Sequence, residues 1–117
     1  GQKGLTLADL FGKPKTVTVN LLLRTDTQGS LEAIRGVLER QAAATDEVEV
    51  NLMLAEVGAP TESDLLLAGT ADATVMTFGV NPAGSVVKAA ERQGIPLKSY
   101  RIIYELIEDV ERMIRGQ

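Results

Sequence analysis

The chain has 117 residues, is 44% apolar, carries a net charge of −4 and contains neither Cys nor His. A single domain of this length buries a sizeable core without staples. The missing residue types exclude disulfides, thiol nucleophiles, thiolate or imidazole metal sites and histidine acid–base catalysis.

Leu5-Thr-Leu-Ala-Asp-Leu-Phe11 is a short apolar segment, one or two helical turns long, and Gly12-Lys-Pro-Lys15 breaks it. Residues 1–16 are therefore expected to form an N-terminal helix and linker, and residues 17–117 the main domain. Val17 to Leu23 is aliphatic, β-branched and ends in Leu21-Leu-Leu23, which predicts a strand covered on both faces. Thr25-Asp-Thr-Gln-Gly-Ser30 is a turn that opens a helix. Asp26 and Ser30 are its expected caps, Gly29 its tight-turn residue, and Leu31, Ile34 and Leu38 its apolar stripe.

Val48, Val50, Leu52 and Leu54 alternate with Glu49, Asn51 and Met53, which is strand period. Gly58-Ala-Pro60 ends that strand. Thr61 is the expected N-cap of the next helix, Glu62 and Asp64 complement its dipole, and Leu65-Leu-Leu-Ala68 is its buried part. Ala73 to Phe78 reads as a third strand. Asn81 and Pro82 are expected to start a helix that runs to about Gln93. Leu97 to Tyr100 is a short fourth strand. Ile103, Leu106, Ile107, Val110, Met113 and Ile114 form a wide apolar stripe on the last helix, expected to continue into a further domain.

Strict alternation of strands and helices predicts an α/β class three-layer α/β/α sandwich with a four-stranded parallel sheet, order 2-1-3-4, preceded by a short N-terminal helix. Ligands of such sheets sit beyond the carboxyl ends of the strands where the order reverses. The turns Thr25–Ser30 and Gly79–Ser85 would meet there.

The candidate chemistry at these turns is thin. Gly79-x-x-x-x-Gly84-Ser85 has phosphate-loop glycine spacing but lacks the lysine after the second glycine, and Pro82 removes one N–H. Asp26 sits where a receiver-type phosphorylation site would, yet Arg24 and Thr25 precede it instead of acids. The Asp-x-x-Gly-x-Leu turn also resembles amino-acid-sensing regulatory domains, which leaves a small-molecule binding domain for an amino acid or nucleotide as the alternative function. Ser85 and Lys88 lie i, i+3 on a helix without other support for a hydrolase. Tyr100 and Tyr104 read as packing rather than a stacking platform. No catalytic residue, metal site or cofactor site is expected in this chain.

Charge is unevenly spread. Residues 1–40 are net +2, residues 41–80 net −7 with no Lys or Arg, and residues 81–117 net +1. Whole-surface binding to nucleic acid is excluded, whereas a one-sided contact through Lys13, Lys15, Lys88, Arg92, Lys98 or Arg101 is not. No apolar run approaches the roughly 20 residues of a membrane span, and no signal-peptide pattern occurs. The absence of Cys fits a reducing compartment. The expectation is a monomeric cytoplasmic protein with no membrane partner.

Leu7-Ala-Asp-Leu-Phe11, Leu21-Leu-Leu-Arg-Thr-Asp-Thr-Gln-Gly-Ser-Leu-Glu-Ala33, Glu47-Val-Glu-Val50, Glu56-Val-Gly-Ala-Pro-Thr-Glu-Ser-Asp64 and Ile102-Ile-Tyr-Glu-Leu-Ile-Glu-Asp-Val110 occur in this order. Together they resemble the third domain of the bacterial translation initiation factor two family, the first of its C-terminal pair. The resemblance implies an α/β/α sandwich. It also implies a non-catalytic spacer that contacts the small ribosomal subunit and couples neighbouring domains. GTP and magnesium would belong to an upstream domain, and initiator tRNA to the next domain. Asp26, Gln28, Gly29, Ser30, Thr61, Glu62, Asp64, Asn81, Lys88 and Arg92 are the candidate contact or interdomain residues. The chain departs from the family at Phe78-Gly-Val-Asn81, where Phe-Asn-Val-Arg is usual, at Pro60, which replaces an aliphatic residue, and in a shorter link over residues 12–16.

Overall fold

The computed structural model describes residues 17–116; the expected N-terminal helix and linker, and Gln117, lie outside the described residues. The elements are β1 (Val17–Thr25), α1 (Gln28–Ala43), β2 (Val48–Val57), α2 (Glu62–Ala71), β3 (Thr74–Phe78), α3 (Gly84–Gln93), β4 (Leu97–Tyr100) and α4 (Ile103–Arg115). All pairings are parallel and the strand order is β2-β1-β3-β4, as the alternation of elements predicts.

The sheet is covered on both sides. One face packs Leu21, Leu23 and Met76 against Ile34 and Leu38 of α1 and Leu106 and Val110 of α4. The other packs Leu22 and Val75 against Leu65 and Ala68 of α2 and Val86, Ala89 and Ala90 of α3. Leu21, Leu22 and Leu23 are at most 1% exposed, which is why this run could not alternate with polar residues. Burial of these aliphatic faces is the main stabilising term, at about 25 cal/mol per Å² of apolar surface.

Five local expectations need correction. Strand period places Leu54 on the face of Val48 and Val50, but the β1–β2 register shifts between Leu21, opposite Leu52, and Leu22, opposite Leu54. Met53 is the extra residue of this bulge, so Met53 and Leu54 both pack on the second face. In α2, Leu65 and Ala68 are buried but Leu66 is 67% exposed, because only one side of the helix meets the sheet. The N-cap of α1 is Thr27, whose Oγ1 accepts the Ser30 N–H at 3.1 Å, not Asp26 or Ser30. Gly29 lies in the first turn of that helix without a positive φ and does not form the turn. Finally, α3 starts at Gly84 behind Ala83 with no side-chain cap, so Asn81 and Pro82 precede the helix.

Thr61 caps α2 as expected, and α2 and α3 each end on a left-handed residue, Asp72 and Gly94. Asn20 Nδ2 donates to the Ala71 carbonyl at 3.0 Å, tying the last turn of α2 to β1. No helix among the described residues is long and apolar enough to cross a membrane.

Candidate functional site

The strand order reverses between β1 and β3, and the loops that follow them meet there. The ladder continues one residue past each strand: Asp26 N–H donates to Phe78 O at 3.0 Å, Gly79 N–H to Tyr100 O at 2.9 Å, and Gly58 N–H to Thr25 O at 2.8 Å. Thr25 and Thr77 are fully buried, and each turns its hydroxyl onto a loop carbonyl, Thr27 O at 2.8 Å and Val80 O at 3.1 Å. Both loops are thereby bent back over the strand ends.

Asp26, exposed at the end of β1, lies against Gly79. Gly79 has φ +76, and a Cβ there would sit 2.4 Å from Asp26 Oδ2 and 2.5 Å from its Cγ. The positive φ requires the glycine, whereas the exposed Asp26 carboxylate against it is free to swing aside. Gln28 points along the helix and donates to Glu32 at 2.8 Å. Asn81, outside α3, accepts from Arg101 Nη2 at 2.9 Å. Among the described residues no group of acidic side chains is placed to hold a metal ion, so Asp26 lacks the companion acids of a receiver site.

Thr61, Glu62 and Asp64 sit across β1 from this crevice, at the start of α2. Sequence reading assigns Glu62 and Asp64 the same part; the structure separates them. Glu62 is exposed. Asp64 is 3% exposed and completes a capping box with Thr61, whose N–H donates to Asp64 Oδ2 at 3.1 Å. Asp64 also receives a bidentate pair from Arg24, Nε to Oδ2 at 2.9 Å and Nη2 to Oδ1 at 3.1 Å. Arg24 Nη1 donates to Val57 O at 3.1 Å and approaches Glu56 at 3.7 Å. One guanidinium therefore joins the ends of β1 and β2 to the first turn of α2.

Burial by itself would raise the Asp64 carboxyl. The Arg24 hydrogen bonds, the Thr61 N–H and the Arg24 charge outweigh burial and hold it below its ordinary value. For Arg24, hydrogen bonding to Asp64 exceeds the cost of burial and raises the guanidinium further. The residue-type pattern misses this contact, although one signal was present: an arginine ending an otherwise apolar, doubly covered strand needs an acidic partner.

Topology also converts the charge pattern into two unlike edges. Edge strand β2 and the turn before it carry Asp46, Glu47, Glu49 and Glu56. At the opposite edge, β4 carries Lys98, Arg101 follows it, and α3, which packs beside Leu97, presents Lys88 and Arg92 one turn apart. These four basic side chains are exposed, and none is in a salt bridge among the described residues. Ile102, 54% exposed, and Tyr104, 73% exposed, adjoin Arg101 along the chain. Tyr100, by contrast, is buried and donates its hydroxyl to Asp109. Ser85 and Lys88 are both on the exposed side of α3, with no hydrogen bond between them.

Comparison with known proteins agrees with this architecture. The family model described as translation-initiation factor 2 matches residues 2–111. The chain is 56% identical over 112 residues to translation initiation factor IF-2 of Deinococcus deserti, covering 95% of this chain and 18% of that protein. It is 58% identical over 99 residues to the Thermus thermophilus factor, covering 85% of this chain and 17% of that one. Among solved structures, GDP-bound aIF5B from Aeropyrum pernix superposes with a TM-score of 0.68 at 29% identity, over 87% of this chain and 17% of that chain. The chain thus spans less than a fifth of the length of these relatives, and it belongs to the translation-initiation factor 2 family.

Proposed function

We propose that this chain is a non-catalytic module of a translation initiation factor GTPase, and that its basic β4–α3 edge contacts the small ribosomal subunit. The observation that carries the reading is that Lys88 and Arg92 on α3, Lys98 on edge strand β4 and Arg101 just after it are all exposed and outside the salt bridges among the described residues. Phosphate backbones are held by clustered Lys and Arg, and such contacts weaken steeply with salt. The acidic β2 edge opposes any second nucleic-acid contact and orients the domain.

In this reading the domain is a rigid spacer that couples the GTP-binding part to the initiator-tRNA end. GTP and magnesium act in an upstream domain, tRNA is held by the following one, and the whole factor works in the cytoplasm as a monomer. Rigidity is supported by the core on both faces and by the Arg24 tie across three elements. Small-molecule regulation is the weaker reading, because Asp26 lies against Gly79 in the crevice such a ligand would need.

An amide-resolved NMR titration with purified small ribosomal subunits, at low and moderate salt, tests the contact. Selective broadening around Lys88, Arg92, Lys98 and Arg101 that weakens with salt is expected. Broadening centred on the acidic β2 edge, or none at either salt, would count against it.

A further inference from the structure

The sheet has two edges, and the contact proposed above uses only the one at β4. At the other, β2 runs for 10 residues with β1 as its single neighbour among the described residues. Glu47 O accepts the Val17 N–H, so residue 47 turns its peptide groups toward β1. Successive residues of a strand point these groups to opposite sides. Val48, Val50 and Leu52 therefore direct their N–H and C=O groups away from the sheet. Pairing with β1 is regular from Val48 to Leu52, and the bulge at Met53 comes only afterwards. An undistorted stretch of edge of this kind is a template for one more strand.

The side chains along that stretch divide by face. Val48, Val50 and Leu52 belong to the core on the α1 side. Glu49 and Asn51 lie on the other face, where Asn51 donates to Asn20. On the α1 side a groove follows the edge, between Leu38 and Ala42 of α1 and Val50 and Leu52 of β2. Alternate side chains of an added strand would enter it and cover apolar surface that α1 leaves half-buried. Charge selects what that strand is. Arg35 is the single base among the residues that line the groove, against Glu39 and Glu56. Arg24, which approaches Glu56 at 3.7 Å, is held by Asp64. Glu49 and, just before the strand, Asp46 are exposed and outside the salt bridges among the described residues. Two copies paired through β2 would set these acids against each other, which opposes self-pairing. The same acids attract a strand that carries Lys or Arg.

We propose that the edge of β2 takes up an extended, basic segment of a protein partner as a further strand of the sheet, with apolar side chains in the α1 groove and Lys or Arg side chains over Glu49. The affinity comes from main-chain hydrogen bonds to Val48, Val50 and Leu52, and the choice of partner from the acids. This contact is independent of the ribosomal one at β4.

The probe is a short capped peptide of alternating Val and Lys, and the readout is amide hydrogen exchange on the isotope-labelled 117-residue chain. Without peptide, the Val50 and Leu52 amides should exchange fast, and those of Glu49 and Asn51, turned toward β1, slowly. With peptide at about ten times its Kd, Val50 and Leu52 should slow about tenfold, and the effect should fade with added salt. A peptide of alternating Val and Glu should bind about tenfold more weakly, and Glu49→Lys, at an exposed position, should narrow that gap. No slowing of Val50 and Leu52, or a gap that Glu49→Lys leaves unchanged, would overturn the proposal. So would equal binding of a backbone N-methylated Val–Lys peptide, because charge alone would then hold it. Val50 and Leu52 amides that are slow without peptide would overturn it too: at every chain concentration the chain itself covers the edge, and only at high concentration a second copy does.

Discussion

Replacing Asp64 by Ala tests whether one ion pair holds the carboxyl end of the sheet together. The side chains of Arg24 and Asp64 are 12% and 4% exposed, so the pair is shielded from water on both sides. Removing the acid leaves a guanidinium facing only the Val57 carbonyl and the more distant Glu56. Breaking a buried pair from one side costs about 3–5 kcal/mol. Loss of half the capping box adds to this, although Thr61 still accepts the N–H of residue 64. A domain of this size has a total stability of roughly 5–15 kcal/mol, so the variant should lose a large share of it. Urea denaturation followed by circular dichroism at neutral pH measures the loss. Arg24→Leu and the double variant complete a cycle. The double variant should be more stable than the sum of the single losses predicts, because it leaves neither charge stranded. A loss below about 1 kcal/mol, the scale of an exposed pair, or strict additivity of the two single losses, would refute the argument.

The same pair sets a pH dependence. Asp64 is depressed in the folded state, so its contribution is present above the unfolded carboxylate value of about 3.9 and is lost as pH falls through the lower folded value. The stability gap between the parent chain and Asp64→Asn, measured by denaturant titration, should therefore close in acid. Tyr100 has the opposite sign. Burial raises its phenol, with Arg112 lowering and Glu105 raising it further. Its contribution is then present below the unfolded value of about 10 and lost in stronger alkali, which ultraviolet titration against Tyr100→Phe will show. Gly79→Ala forces a left-handed backbone on alanine and pushes Asp26 aside; it should cost about 1–3 kcal/mol or more, read as a fall in Tm. Deleting Met53 removes the extra residue and leaves Leu52 opposite Leu21 and Leu54 opposite Leu22 on their present faces, so the deletion should still unfold cooperatively in thermal melts, whereas loss of cooperativity would refute the bulge.

The candidate site was partly legible in the sequence. The meeting of the loops after β1 and β3 follows from strand order alone, and the Thr61 cap from its residue type ahead of an acidic first turn. The caps of α1 and α3 were not, because several Thr, Asp, Asn and Ser residues compete within each turn. Only the backbone path decides which hydroxyl faces an open N–H. The bulge at Met53 was hidden because Met and Leu suit either face.

By itself the sequence determined the class, the element order and the parallel sheet, because alternating blocks of strand-forming and helix-forming residues admit few packings. Leu21-Leu-Leu23 required two covered faces wherever its neighbours lay. The tertiary structure alone decided what lies far apart in the chain and close in space. It brought Asp64 to Arg24 across 40 positions and set Asp26 against Gly79. By placing β2 and β4 at opposite edges, it separated the acidic middle of the chain from the basic residues near its end. Such contacts depend on the crossover of each helix and on register, and neither is encoded by the residues of one segment alone.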